Sequence, residues 1–202
     1  AYPTFNYHVA GFGGILHAVP YIDDHEDPAS LFSKAADVDA KLVYLANPDN
    51  PMGTWHDGAT LRRALDDLPK GSLLVLDEAY IDCAPNGTAP DIDPNDPRVI
   101  RMRTFSKAYG MAGARVGYAI GPVPVIDAFN KVRNHFGMNR SAQAGAQAAL
   151  ADTSYHAAVL GKINQARRRI AAIAASNGLT TLPSATNFVA IDCGSDGVFA
   201  KA

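Results

Sequence analysis

The most restrictive feature of this sequence is the run SLLVLDEAY at residues 72–80. Its four consecutive leucine and valine residues predict a strand buried on both faces, because a half-exposed strand would alternate apolar and polar side chains. Two carboxylates, Asp77 and Glu78, follow this apolar run at once. In open α/β sheets, ligands sit beyond the carboxyl ends of the strands, so this strand end is a candidate site.

Apolar runs alternate with helical patterns along the rest of the chain. Further strands are predicted at residues 41–48, 98–105, 115–121 and 186–193, and helices at 57–69, 123–135, 140–151 and 153–177. Four prolines place residues 84–97 in a surface loop. The alternation predicts an α/β fold. Its three-layer αβα large domain, with a mostly parallel sheet covered on both faces, is followed by the start of a small α+β domain.

Polar groups follow three of the predicted strands. NPDNPMG at residues 47–53 comes after the first, DEAY at 77–80 after the second, and TFSK at 104–107 after the third. Because the carboxyl ends of parallel strands share one edge, we expect these groups to converge. NPDNPMG is either an ordinary rigid turn or a turn that holds the Asn50 amide toward a ligand. Asp77 is either an N-cap or salt-bridge residue or the partner of a ligand cation within reach of the Tyr80 hydroxyl.

One lysine and one arginine stand in the small-residue run TFSKAYGMAGARVGY at residues 104–118. Small neighbours allow a ligand to approach Lys107, and partly apolar surroundings favour an amine that attacks carbonyl groups. The guanidinium of Arg115, with the hydroxyls of Thr104 and Ser106, suits a phosphate. An aldehyde, a phosphate, a ring cation and a phenolate occur together in pyridoxal 5′-phosphate, which is therefore the predicted cofactor.

With these motifs the chain resembles the fold-type I pyridoxal-phosphate aminotransferases, in the histidinol-phosphate aminotransferase-like branch of class I/II. NPDNPMG corresponds to that family's N-P-x-N-P-T-G, LDEAY to its D-E-A-Y, and TFSKAYGMAGARVGY to its S-K-x-x-G-x-x-G-x-R-x-G-Y. The resemblance implies that residues 1–150 are a pyridoxal-phosphate-binding large domain without its N-terminal part. It implies that residues 151–202 are a connecting helix and the beginning of a small C-terminal domain.

The resemblance also implies a role for each residue of the candidate site. Lys107 is the Schiff-base lysine and proton carrier, Asp77 pairs with the pyridinium nitrogen N1, and Tyr80 contacts the ring oxygen O3′. The other implied contacts are Asn50 at O3′, Tyr2 stacked on the ring, Ala79 against a ring face, Thr104, Ser106 and Arg115 at the phosphate, and Asn187 near the substrate carboxylate.

The implied reaction is amino transfer from a histidinol-phosphate-like or aromatic amino donor to a 2-oxo acid, as part of amino-acid biosynthesis such as that of histidine. The resemblance further implies a cytoplasmic homodimer. Two alternatives stay open. A pyridoxal-phosphate decarboxylase of the threonine-phosphate type shares these motifs, and an aminotransferase-like effector domain of a transcription regulator would keep the fold without catalysis.

Other classes of function have little support in the composition. The net charge of −2 provides no basic footprint for nucleic acid, and no apolar run approaches the length of a membrane span. The six histidines are scattered without ligand spacing, so no metal site is expected. Three consecutive arginines in QARRRIAAIAA, residues 165–175, are interpreted as a solvated helix face.

Overall fold

A computed structural model describes residues 3–194 of the chain. Its helices are α1 (Pro3–Gly11), α2 (Pro28–Asp37), α3 (Gly58–Ala64), α4 (Val123–Val132), α5 (Arg140–Ala151) and α6 (Thr153–Ser176). Its strands are β1 (Leu42–Ala46), β2 (Leu73–Asp77), β3 (Val99–Thr104), β4 (Gly117–Ile120), β5 (Thr180–Thr181) and β6 (Ile191–Asp192). Short 3₁₀ turns lie at Leu65–Asp67, Ile81–Cys83 and Ala112–Ala114.

The larger sheet has the strand order β1-β2-β3-β4. Strands β1, β2 and β3 pair in parallel, whereas β4 returns antiparallel to β3. The register sets Ala46 beside Asp77 and Asp77 beside Met102, so the carboxyl ends of three strands lie next to one another. The predicted α/β class with a mostly parallel sheet is confirmed.

The main core lies on one face of this sheet. Alternate strand residues Val43, Leu45, Leu74 and Leu76 point to that face and pack with side chains of α2 and α3, among them Phe32, Leu61 and Leu65. Each of these buried leucines stabilises the fold by about 1.5–3 kcal/mol relative to an exposed one. The opposite face is less well covered than the sequence predicts: Phe5 of α1 contacts the Tyr44 ring, while Met102 is 36% exposed.

Side-chain caps explain where several helices begin. Asp27, Asp57, Asn139 and Asp152 each accept a hydrogen bond from a backbone amide in the first turn of the helix that follows. Such caps satisfy amides that have no partner inside the helix, and each is worth about 1 kcal/mol. The predicted helices at 140–151 and 153–177 are confirmed to within one residue.

The last predicted strand is wrong over residues 186–190. Within the predicted range, only Ile191–Asp192 forms a strand, paired antiparallel with Thr180–Thr181. Residues 184–188 instead form a turn, in which the Ser184 hydroxyl accepts from the Thr186 amide and the Thr186 hydroxyl accepts from the Phe188 amide. Side-chain hydroxyls that bind nearby amides compete with strand pairing, which is the physical reason for the error.

Within residues 3–194, no helix combines the length and the apolar character that crossing a membrane requires.

Candidate active site

The three polar loops begin side by side at the carboxyl edge of the sheet. The Asn47 amide donates to the Asp77 carbonyl at 2.9 Å, and the Glu78 amide donates to the Met102 carbonyl at 2.9 Å. These bonds continue the strand pairing one residue beyond the strands and hold the loops together. The parallel register therefore brings the motifs that are separated in sequence to a common edge.

The loop at residues 47–54 is built around buried polar groups. The Asn47 side chain accepts from the His56 amide at 2.8 Å and donates to the His56 carbonyl at 3.1 Å. Asp49 is 2% exposed and accepts from the Tyr21 hydroxyl at 3.0 Å and from the Met52 amide at 3.1 Å. Burial and the nearby Asp49 carboxylate raise the pKa of Tyr21, which remains a hydrogen-bond donor. This network presents the half-buried Asn50 at the sheet edge.

Asn50, Tyr80 and Lys107 come together from the three loops. The Asn50 amide nitrogen donates to the Tyr80 hydroxyl at 3.2 Å, and the Lys107 Nζ lies 5.1 Å from the centre of the Tyr80 ring. Tyr80 is 6% exposed, and Phe188 packs edge-on against it with ring centres 5.3 Å apart. Because Asn50 donates, the hydroxyl proton of Tyr80 stays available to a ligand.

The two adjacent carboxylates of DEAY have different environments. Asp77 accepts from the Tyr44 hydroxyl at 2.5 Å and from the Ala79 amide at 2.9 Å. Glu78, whose side chain is 0% exposed, forms ion pairs with Arg101 at 2.6 Å and with Arg103 at 2.8 Å. The buried ion pairs thus belong to Glu78, whereas the half-buried Asp77 is held by neutral donors.

A hydroxyl pair lies at the end of β3. The Thr104 hydroxyl donates to the Ser106 hydroxyl at 2.9 Å, and the Ser106 amide donates to Thr104 Oγ1 at 3.0 Å. Arg115 follows in the left-handed conformation, with φ of 55°, and is exposed. Its guanidinium donates to the Ala112 carbonyl at 2.8 Å. The Val116 carbonyl accepts from the Phe105 amide at 3.1 Å. This bond holds the residue that follows Arg115 against the loop of Thr104 and Ser106.

Aromatic rings support the loop that carries Lys107. Phe105 contacts Tyr109 with ring centres 4.9 Å apart, and His156 of α6 stacks on Tyr109 at 4.4 Å with an interplanar angle of 13°. Burial raises the pKa of Tyr109, which keeps its hydroxyl neutral. Phe105 and Ala108 on either side of the loop are 4% and 2% exposed, so Lys107 projects from a well-packed base.

Three predicted residues remain, and the structure describes two of them. Asn187 is exposed in the 184–188 turn, directly before the Phe188 that contacts Tyr80. Tyr2 lies outside the described residues. Ala79 is half-buried and lies two residues after Asp77 in the chain.

Three residues of this neighbourhood escape the sequence analysis. Tyr44 lies diagonally across the β1–β2 register from Asp77, a separation that an aromatic side chain can span, but finding it requires the register. The sequence predicts a strand at Phe188, which the structure places in a turn instead. It predicts a solvated helix face at Arg167, yet the Arg167 guanidinium donates to the Ser184 carbonyl at 2.7 Å.

Comparison with known proteins gives a consistent result. Residues 16–198 match the model of a family described as aminotransferase class I and II. The chain is 42% identical over 174 residues to histidinol-phosphate aminotransferase 2 of Pseudomonas fluorescens, covering 84% of this chain and 46% of that protein. It is 38% identical over 183 residues to an aromatic amino acid aminotransferase of Nocardia farcinica, covering 87% of this chain and 51% of that protein.

A solved structure is also similar. The crystal structure of histidinol-phosphate aminotransferase from Sinorhizobium meliloti in complex with pyridoxal 5′-phosphate superposes with a TM-score of 0.94 at 55% identity. The match covers 98% of this chain and 55% of that one. The chain therefore spans about half the length of the relatives it matches.

Proposed function

This chain belongs to the class I and II aminotransferase family, and from that membership we propose that it carries the cofactor-binding core of a pyridoxal-phosphate-dependent aminotransferase. The observation that carries the proposal is the meeting of Lys107, Tyr80 and Asn50 beyond the strand that ends in Asp77. The three loops bring together an amine and two hydrogen-bond donors, and the Asp77 carboxylate ends the strand that leads into the loop of Tyr80.

The residues present fit pyridoxal phosphate. Asn50 and Tyr80 retain donors for the ring oxygen, and Asp77 retains lone pairs for a protonated ring nitrogen. Ala79 has a small side chain, and we assign it to one face of the ring by its place in the motif. The hydroxyls of Thr104 and Ser106 suit the phosphate, and we assign Arg115 to the same group by its place in the motif. Tyr2 is assigned to ring stacking on the same ground.

When bound, pyridoxal phosphate supplies an aldehyde carbon for an amine and a conjugated ring that takes up the electron pair released at the substrate Cα. Lys107 would hold the cofactor's aldehyde carbon in the absence of an amino donor. Once a donor has taken that place, the Lys107 Nζ would act as the base that removes the proton from the substrate Cα and as the acid that delivers it to the cofactor carbon C4′. The Asp77 carboxylate, which the Tyr44 hydroxyl fixes in place, would pair with the ring nitrogen and favour its protonated form.

We propose a histidinol-phosphate-like or aromatic amino donor and a 2-oxo acid acceptor, with Asn187 beside the substrate carboxylate. The names of the relatives support both donor classes and favour amino transfer over the decarboxylase and regulator alternatives. A role in histidine biosynthesis, a cytoplasmic location and a homodimer are part of the same proposal. So is the division into a large domain at 1–150 and a small-domain segment at 151–202.

The test uses the full-length protein that contains this chain. Amino transfer to 2-oxoglutarate is measured with histidinol phosphate, phenylalanine and tyrosine as donors, and carbon dioxide release is measured with threonine phosphate. The proposal expects 2-oxoglutarate-dependent turnover that is abolished in Lys107→Ala and retained in Lys162→Ala, since Lys162 is exposed on α6. Carbon dioxide release without amino transfer would favour the decarboxylase, and turnover that survives Lys107→Ala would refute the assignment.

A further inference from the structure

Arg167 differs from the two arginines that follow it on α6. It is half-buried, whereas Arg168 and Arg169 are exposed. Successive residues of a helix point about 100° apart, so only one member of the run can face the protein. Burial lowers the pKa of Arg167, and the guanidinium stays charged because an arginine does not deprotonate in proteins.

The guanidinium of Arg167 joins three segments of the chain. It donates to the carbonyls of Ser184 at 2.7 Å and Thr186 at 3.1 Å, and to the carbonyl of Cys83 at 3.4 Å. It also donates to the side chain of Asn164 on its own helix. A charged fork that reaches both Cys83 and the 184–186 backbone ties the turn after α6 to the loop that contains Tyr80.

The turn at 184–188 is itself pressed against two loops of the candidate site. Its Ala185 amide donates to the Gly53 carbonyl at 2.8 Å, and Ala185 and Thr186 are both 0% exposed. Its Phe188 packs edge-on against Tyr80 at 5.3 Å. Removing the guanidinium would leave the carbonyls of Ser184 and Thr186 without this donor in a buried place, which favours a shift of the turn.

We propose that Arg167 is a positioning residue that fixes the 184–188 turn against Gly53 and Tyr80. Asn187 lies between Thr186, whose carbonyl Arg167 holds, and Phe188, which contacts Tyr80. Arg167 thereby sets the position of Asn187 on the amino-donor side of the site without touching the donor. The consequence for the donor depends on the proposed function, whereas the anchoring of the turn does not.

Hydrogen exchange in the full-length protein tests the anchoring. Arg167→Met keeps the aliphatic stem and removes the guanidinium, and Arg168→Met is the matched control because Arg168 is exposed on the same helix. We expect the amides of Ala185, Thr186 and Phe188 to exchange at least about tenfold faster in Arg167→Met and at the wild-type rate in the control. Equal protection of these amides in both variants would overturn the proposal.

Steady-state kinetics test the consequence for the donor. In Arg167→Met we expect the KM for the amino donor to rise about tenfold, with kcat and the dissociation constant of pyridoxal phosphate each within about threefold of wild type. Arg167→Lys keeps the positive charge and N–H donors, so we expect its KM for the amino donor to lie between those of wild type and Arg167→Met. An unchanged KM together with faster exchange would overturn the positioning role.

The exchange and kinetic measurements distinguish a failure of this inference from a failure of the proposed function. If the wild-type protein transfers no amino group to any 2-oxo acid, the proposed function is wrong. The exchange rates at Ala185, Thr186 and Phe188 then decide by themselves whether Arg167 anchors the turn. If Arg167→Met does not fold, Arg167→Lys takes its place in both measurements, with the same expected direction.

Discussion

Replacing Glu78 by glutamine should lower the free energy of unfolding more than replacing any surface carboxylate by its amide. The Glu78 side chain is 0% exposed, and its oxygens accept from Arg101 at 3.0, 3.0 and 2.6 Å and from Arg103 at 2.8 Å. Glutamine has nearly the same shape and removes the charge, leaving two guanidinium groups that are only 12% and 24% exposed.

The size of the effect follows from this burial. Breaking a buried ion pair by removing one partner costs about 3–5 kcal/mol, because the remaining charge stays desolvated. Glutamine still offers one carbonyl oxygen to Arg101, so we expect the lower end, about 3 kcal/mol. That loss is a large fraction of the 5–15 kcal/mol (roughly) by which a typical domain is stable. It corresponds to an unfolded population raised by about a hundredfold.

Urea unfolding followed by circular dichroism measures this loss in the full-length protein at pH 7, at equal protein concentration and without added cofactor. Asp66→Asn is the control, because Asp66 and Arg62 pair at 3.2 Å with side chains that are 70% and 46% exposed. An exposed pair of this kind is worth about 0–1 kcal/mol. If Glu78→Gln destabilises no more than Asp66→Asn, the claim that the Glu78 ion pairs are desolvated is wrong.

Three further predictions concern the loops of the site. Burial raises the pKa of Glu26 to about 7, so ionisation of Glu26 lowers the free energy of unfolding as the pH rises from about 4.5 to 7. In urea unfolding, Glu26→Gln should remove up to about 3 kcal/mol of this loss of stability with pH. Gly53→Ala should destabilise by about 1–3 kcal/mol, because Gly53 has φ of +82° and a Cβ would lie 2.8 Å from Ser184 Oγ; a melting temperature equal to wild type would contradict this. Tyr44→Phe should weaken pyridoxal phosphate binding about tenfold in absorbance titrations by releasing Asp77, and unaltered binding would exclude that support.

Strands β1 and β2 are predictable because each follows from an uninterrupted apolar run. The strand predicted at 72–80 is observed at Leu73–Asp77, and its buried leucines face a core formed by α2 and α3. The turn at 184–188 is not predictable from the same pattern. Its residues 186–188 begin the run TNFVAIDC, whose pattern predicts a strand, while the hydroxyls of Ser184 and Thr186 accept hydrogen bonds from nearby backbone amides instead.

Within the candidate site, residues at strand ends are easier to find than residues that act across the fold. Lys107, Asn50 and Tyr80 stand in polar loops directly after apolar strands, so their chemistry is visible in the sequence. The contribution of Arg167 depends on carbonyls 17 to 84 residues away in sequence. Residues 167, 168 and 169 are all arginine, so the sequence does not show which of them faces the protein. The exposed setting of Arg115 likewise depends on a left-handed backbone that no motif specifies.

The most direct test of the account is to reduce the full-length protein with borohydride in the presence of pyridoxal phosphate and to map the modified peptides by mass spectrometry. We predict one pyridoxyl adduct, on Lys107, that is absent from Lys107→Ala and present in Lys162→Ala. An adduct confined to another lysine, or no adduct on the folded full-length protein, would contradict the claim that Lys107 is the cofactor-binding lysine.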